Sequence, residues 1–140
     1  MTAQLFNIDQ PLRSHQVRRI LLVEDHHLNR LLLTDYLIYS GYDVESLSEG
    51  SNFFSTIEKF QPDLMLLDLK LPDIDGYSLL KQVQQKPDFS KIPIIVVSAF
   101  AFKADQDLAL SLGARRYFVK PLKLKDLILT IEEELACCYK

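Results

Sequence analysis

The sequence predicts an α/β fold, a doubly wound parallel sheet of five strands with helices on both faces. Three observations carry it. Short strand-like runs at 20–23, 42–47, 63–68, 92–98 and 115–119 alternate with longer segments that carry helix signals. Strict alternation is the pattern of βαβ units and a parallel sheet. Three of the runs are apolar almost throughout, as expected of strands covered on both faces.

Each element has its own reason. Ile20-Leu21-Leu22-Val23 is an apolar run that stops at charge, Glu24-Asp25. Residues 28–40 are Leu-rich, and Gly41 follows as a C′ glycine, so this is a helix. Residues 42–47 alternate and read as a strand. Gly50 or Ser51 opens a helix that runs to Phe60, with Pro62 behind it. Residues 63–68 form a buried strand ending in Asp68. A helix over 74–86 is stopped by Pro87. Residues 92–98 are β-branched and apolar, and Pro93 falls near the strand start, where a missing N–H is tolerated. A helix over 102–112 ends at Gly113, a short strand covers 115–119, and the last helix covers 123–137. Residues 1–17 are polar and unpatterned, a flexible leader to one domain over 18–140.

Composition bounds the function. The chain has 140 residues, which suits a single domain. A net charge of −3 argues against nucleic acid as the main partner, because such binders carry a basic patch. Cys137 and Cys138 are adjacent and belong to no CxxC pair, so they read as reduced thiols. No apolar run reaches the ~18 residues of a membrane span. Pro11, Arg13, Arg18 and Arg19 interrupt any signal-peptide pattern. The expectation is a cytoplasmic protein.

In open parallel sheets the site lies beyond the carboxyl ends of the strands. Those ends carry Glu24-Asp25, Asp68, Ser98-Ala99 and Lys120-Pro121. Taken singly, each has a bland reading: a solvated loop, a turn cap, a loop opener. Together they place three carboxylates, a hydroxyl and an ammonium on one edge. Crowded carboxylates repel unless a cation neutralises them. Hard oxygen ligands suit Mg²⁺, and no His/Cys set has zinc spacing. A carboxylate beside such a metal is a competent nucleophile toward phosphorus. The three oxygens of a transferring phosphoryl need partners, which the metal, Lys120 and Ser98 supply.

These segments resemble the receiver domain of bacterial two-component response regulators. The likeness runs from about Arg19 to Leu135 and is carried by ILLVEDHHLNR, PDLMLLDLKLPDIDGYSLL, IPIIVVSAFA and LGARRYFVKPL. It implies a flavodoxin-like (βα)5 fold with strand order 2-1-3-4-5. It implies Asp68 as phosphoacceptor, and Glu24, Asp25, Asp68 and the backbone carbonyl of Lys70 as the ligands of Mg²⁺, with Mn²⁺ as a substitute. Ser98 takes the place of the switch hydroxyl, Tyr117 that of the switch aromatic, and Lys120 that of the family lysine. Lys120–Pro121 is expected to be cis, and Gly76 to fit the loop after the phosphorylation strand. Phe100, two beyond Ser98, is expected to slow hydrolysis of the acyl phosphate, and Lys70 holds the matching position beyond Asp68.

The function implied is a phosphorylation-activated switch that catalyses only its own phosphorylation and dephosphorylation. A sensor histidine kinase or histidine phosphotransfer protein would act upstream. The helix over 102–112, the last strand and the last helix would form the signalling face toward an unknown protein target, with homodimerisation through the same face as an option. No helix-turn-helix follows the last helix, so direct DNA binding is not expected. The first helix is more apolar than packing requires; Leu31 and Ile38 are candidates for a docking surface. His26 and His27 read as loop histidines. The alternatives are a receiver-fold scaffold that is never phosphorylated, and a hydrolase of the haloacid-dehalogenase type. The hydrolase wants a second Asp where Lys70 stands. A flavin binder wants a hydroxyl-rich loop where EDHHLNR stands, and a P-loop NTPase wants GxxxxGK[ST], which is absent.

Overall fold

The computed structural model describes residues 16–137. In chain order the elements are β1 (Arg19–Val23), α1 (His27–Tyr39), β2 (Asp43–Leu47), α2 (Phe53–Phe60), β3 (Leu64–Leu67), α3 (Gly76–Gln84), β4 (Ile94–Ser98), α4 (Lys103–Ser111), β5 (Arg116–Val119) and α5 (Leu124–Cys137). The strands form one parallel sheet in the order β2-β1-β3-β4-β5. This is the flavodoxin-like (βα)5 arrangement expected from the sequence. Residues 1–15 and Cys138 lie outside the described residues, so most of the 1–17 leader does too. Gln16 and Val17 enter β1 without regular structure.

Strand alternation sorts the core into two halves. Leu21, Val23, Met65, Leu67, Ile94 and Val96 face Phe53 and Ile57 of α2, Leu79, Leu80 and Val83 of α3, and Ala109 of α4. Their neighbours Ile20, Leu22, Leu64, Leu66, Ile95 and Val97 face Leu33 and Leu37 of α1 and Leu127, Ile131 and Leu135 of α5. Successive side chains of a strand point to opposite faces, so an apolar strand needs a cover on each. That is why the sequence runs are apolar without a break in β1, β3 and β4.

Several boundaries differ from the sequence expectation. The second helix starts at Phe53 rather than at Gly50 or Ser51. The Gly50 amide donates to Asp73 Oδ1 at 2.8 Å, and an added Cβ there would lie 2.3 Å from Ile74 Cγ2. The turn before α2 is thus pinned to the loop before α3 instead of winding into helix. The third helix starts at Gly76 rather than Ile74, because Asp75 caps it and accepts from the Tyr77 amide. The fourth strand starts at Ile94, after Pro93, whose carbonyl accepts from Met65 N. Gly41 and Gly113, at φ 101° and 110°, are the left-handed stops after α1 and α4.

Gly76 is not in the loop after Asp68 but opens α3, and the loop packs on it. A Cβ at Gly76 would sit 2.5 Å from Leu69 Cα and 2.8 Å from Leu69 O. These are backbone atoms and cannot swing aside. Gly76→Ala is therefore expected to lower unfolding free energy by about 2 kcal/mol through overpacking. Urea denaturation checks this, and an unchanged midpoint would contradict the close approach.

Candidate functional site

Three strands deliver the charged groups to one edge. The Asp68 amide donates to Val23 O at 3.0 Å, which extends the β1–β3 ladder to the phosphoacceptor candidate. The Glu24 amide donates to Leu47 O at 2.9 Å, and the Lys120 amide to Ser98 O at 2.9 Å. So each side chain leaves a backbone that is itself held in the sheet. The site lies where β1 has β2 on one side and β3 on the other, the switch point in strand order.

Lys120 Nζ bridges the two buried carboxylates, at 2.6 Å from Glu24 Oε1 and 2.9 Å from Asp68 Oδ2. Glu24 is 1% exposed and Asp68 6%. The remaining oxygens are also met by donors. Glu24 Oε2 accepts from His26 N at 3.0 Å, and Asp68 Oδ1 from Lys70 N at 3.1 Å. Asp25 is exposed, and its carboxylate has no hydrogen-bond donor among the described residues. Single oxygens of Glu24, Asp25 and Asp68 lie within 4.8 Å of one another. An all-oxygen set with one solvent-facing member fits a hard divalent cation that keeps part of its water. Asp25 is the ligand such an ion would find most open.

The electrostatics are dominated by the bridge. Burial pushes the Glu24 carboxyl up, against the hydrogen bonds from Lys120 and His26, with the Asp68 charge adding to the rise. For Lys120, burial works downward, but hydrogen bonds and charge from Glu24 and Asp68 outweigh it and its pKa rises. One cation thus serves two carboxylates.

Beyond the bridge stand the switch candidates. Ser98 is fully buried, and its Oγ accepts from Phe100 N at 3.1 Å. The Ser98 hydroxyl makes no hydrogen bond to Asp68 or Lys120. Tyr117 is partly buried against the core on the α2–α3–α4 face, and its hydroxyl donates to Phe100 O at 2.7 Å. Burial pushes the Tyr117 phenol up, against the Ser98 hydroxyl beside it. The ring is therefore turned inward, onto the loop between β4 and α4. The Lys120–Pro121 peptide is cis.

A family comparison matches residues 20–132 to the response regulator receiver domain. The chain belongs to that family. The receiver is 36% identical over 115 residues to the transcriptional regulatory protein GltR of Pseudomonas aeruginosa, covering 82% of this chain and 48% of that one. It is 31% identical over 118 residues to the polar-differentiation response regulator DivK of Brucella anthropi, covering 84% of this chain and 96% of that one. It thus spans about half the length of the first relative and nearly all of the second. Among solved structures, the receiver domain of the sensor histidine kinase PA1611 from Pseudomonas aeruginosa superposes with a TM-score of 0.79 at 29% identity, over 86% of this chain and 99% of that one. That structure holds a magnesium ion in its active-site cleft.

Some residues of the receiver site escape sequence reasoning. Arg30 Nη1 donates to Glu24 O at 2.9 Å and to Asp25 O at 3.3 Å, tying α1 to the acidic pair. Nothing but its position one turn into the helix signals this. His26 is not a plain loop residue; its Nδ1 accepts from Asn29 N and caps α1. Glu134 is buried in α5 and paired with Arg115 at 3.1 Å and Arg116 at 3.0 Å. In sequence it is one of three successive glutamates on a helix. Phe102 stands at the N-cap of α4 with a side chain that offers no acceptor; instead Asp105 Oδ2 accepts from Phe102 N at 3.2 Å. Cys137 is an exposed free thiol at the end of α5. Among the described residues no helix is long and apolar enough to cross a membrane.

Proposed function

We propose that the receiver is a phosphorylation-driven switch of a two-component phosphorelay. The single observation that carries this reading is the ammonium of Lys120 lying between Glu24 and Asp68, with Asp25 in reach. An Asp68 oxygen would attack phosphorus while the bond from phosphorus to the donor's nitrogen or oxygen breaks, its electron pair leaving with the donor. Lys120 then turns from a carboxylate partner into a partner of a phosphoryl oxygen. Glu24, Asp25, Asp68 and the Lys70 carbonyl would hold Mg²⁺, or Mn²⁺ in its place, and the ion would supply charge neutralisation. The only reactions catalysed are the domain's own phosphorylation and dephosphorylation.

The donor is a sensor histidine kinase or a histidine phosphotransfer protein, and it must touch the surface around Asp68. An apolar groove of about 410 Å³ opens on the far side of Lys120, between α1 and the start of α5, lined by Leu32, Leu33, Pro121, Leu122 and Leu124. Leu28, Leu31, Leu32, Ile38 and Tyr39 of α1 are all exposed, so the apolar excess extends along the helix. The side chains of α1 thus suit a partner helix laid across the site.

Output runs the other way. A phosphoryl oxygen draws the Ser98 hydroxyl from Phe100 N, and the inward packing of Tyr117 gains weight as a population shift. The α4–β5–α5 face carries that shift to a downstream protein, or to a second copy of the chain. The test is a pair of amide spectra with and without beryllium fluoride and Mg²⁺. Shifts at Ser98, along α4 and at Tyr117 are expected; spectra that coincide would refute the switch.

Phe100 packs partly buried against the core beside Ser98. A bulky ring there limits the approach of water. Phe100→Glu should shorten the phosphorylated lifetime roughly tenfold, equal to about 1.4 kcal/mol of barrier. The decay of radiolabelled protein measures it, and an unchanged lifetime would remove Phe100 from the account.

A further inference from the structure

The segment between β4 and α4 is held by more than Tyr117. Tyr77, the second residue of α3, sends its hydroxyl to the carbonyl of Asp105 in the first turn of α4, at 3.3 Å. Its ring is partly buried against the same core as Tyr117 and Phe100. Burial pushes the Tyr77 phenol up to about 12, with the charges of Asp105, Tyr117 and Asp75 and the Asp105 hydrogen bond adding to it. It therefore remains a donor throughout the neutral range.

Tyr77 is also wired to Asp68 from behind. Lys70 N donates to Asp68 Oδ1. The backbones of Lys70 and Asp75 pair in an isolated antiparallel bridge, and Asp75 caps α3 by accepting from the Tyr77 amide. None of these links passes through Ser98.

We infer that Tyr77 is a second positioning tyrosine, which ties the N-terminus of α4 to the β3–α3 loop in parallel with the Ser98–Tyr117 route. A movement of the Lys70 loop on phosphorylation then reaches α4 through α3 as well as through β5. The inference rests on the phosphorylation reading for its signal, but its mechanical half does not.

Tyr77→Phe removes only the hydroxyl and keeps the ring in the core. Amide hydrogen exchange on the full chain, alone and with beryllium fluoride and Mg²⁺, reads the result. In the chain alone, exchange at residues 102–106 should rise about fivefold, the worth of one hydrogen bond, while the sheet amides stay unchanged. With beryllium fluoride, the protection gained at 102–106 in the wild type should shrink in the variant. The rate of phosphorylation by acetyl phosphate should not change. Tyr77→Phe combined with Tyr117→Phe should depart from additivity, since both groups hold one segment. Unchanged exchange at 102–106, or a rise shared equally by the whole domain, would overturn the inference. A wild type blind to beryllium fluoride would instead refute the phosphorylation reading and leave the first comparison standing.

Discussion

Lys120→Met is expected to destabilise the domain by about 3 kcal/mol, the range for breaking a buried ion pair by removing one partner. Methionine fills the space of the lysine stem but leaves Glu24 and Asp68 buried side by side without their cation. The loss should depend on pH. The Lys120 pKa is raised above its ordinary 10.5, so its contribution is fully present below that value and is lost only as pH rises through the folded pKa. In the variant the Glu24 carboxyl, already above its ordinary 4.5, loses the hydrogen bond that holds it down. A raised acid stabilises the folded state at low pH and the gain is lost as pH rises. The difference between wild type and variant should therefore be largest at neutral pH and shrink as pH falls through the raised folded pKa of Glu24 toward its ordinary 4.5. Urea titrations across that range measure it. A difference that grew on acidification would show that the bridge is not what holds these carboxylates.

Asp68→Asn should act in the opposite direction on stability and remove the reaction altogether. Asparagine relieves the repulsion between Asp68 and Glu24 and leaves Lys120 bound to Glu24 at 2.6 Å. A small gain in stability is expected, because the relief of this repulsion outweighs the charged contact to Lys120 that becomes neutral. The amide cannot serve as the acceptor carboxylate, so phosphorylation falls to background. This combination of higher stability and no activity is what a site built for crowded charge produces. A variant that was less stable would point to a structural role for Asp68.

The sequence made the sheet legible because both faces of β1, β3 and β4 are covered, which leaves unbroken apolar runs. It made Glu24, Asp25 and Asp68 legible because each stands one or two residues past such a run, and Lys120 because it directly follows the short last strand. Helix starts were harder to read. Gly50 and Ser51 look like an N-terminus until Asp73, 23 residues on, takes the Gly50 amide. Ile74 looks helical until Asp75 proves to be the cap. Residues that act through backbone atoms left no trace: Arg30 on the carbonyls of the acidic pair and Tyr77 on Asp105 O involve residue types that are ordinary on any helix. The inward setting of Tyr117 was equally invisible, since it depends on a carbonyl 17 residues away.

The measurement that bears most directly on the central claim is the intact mass of wild type and Asp68→Asn after incubation with acetyl phosphate and Mg²⁺. The wild type is expected to gain one phosphoryl group, the gain to disappear with EDTA, and Asp68→Asn to gain none. A wild type whose mass does not change, or a variant that is labelled equally, would contradict Asp68 as the phosphoacceptor.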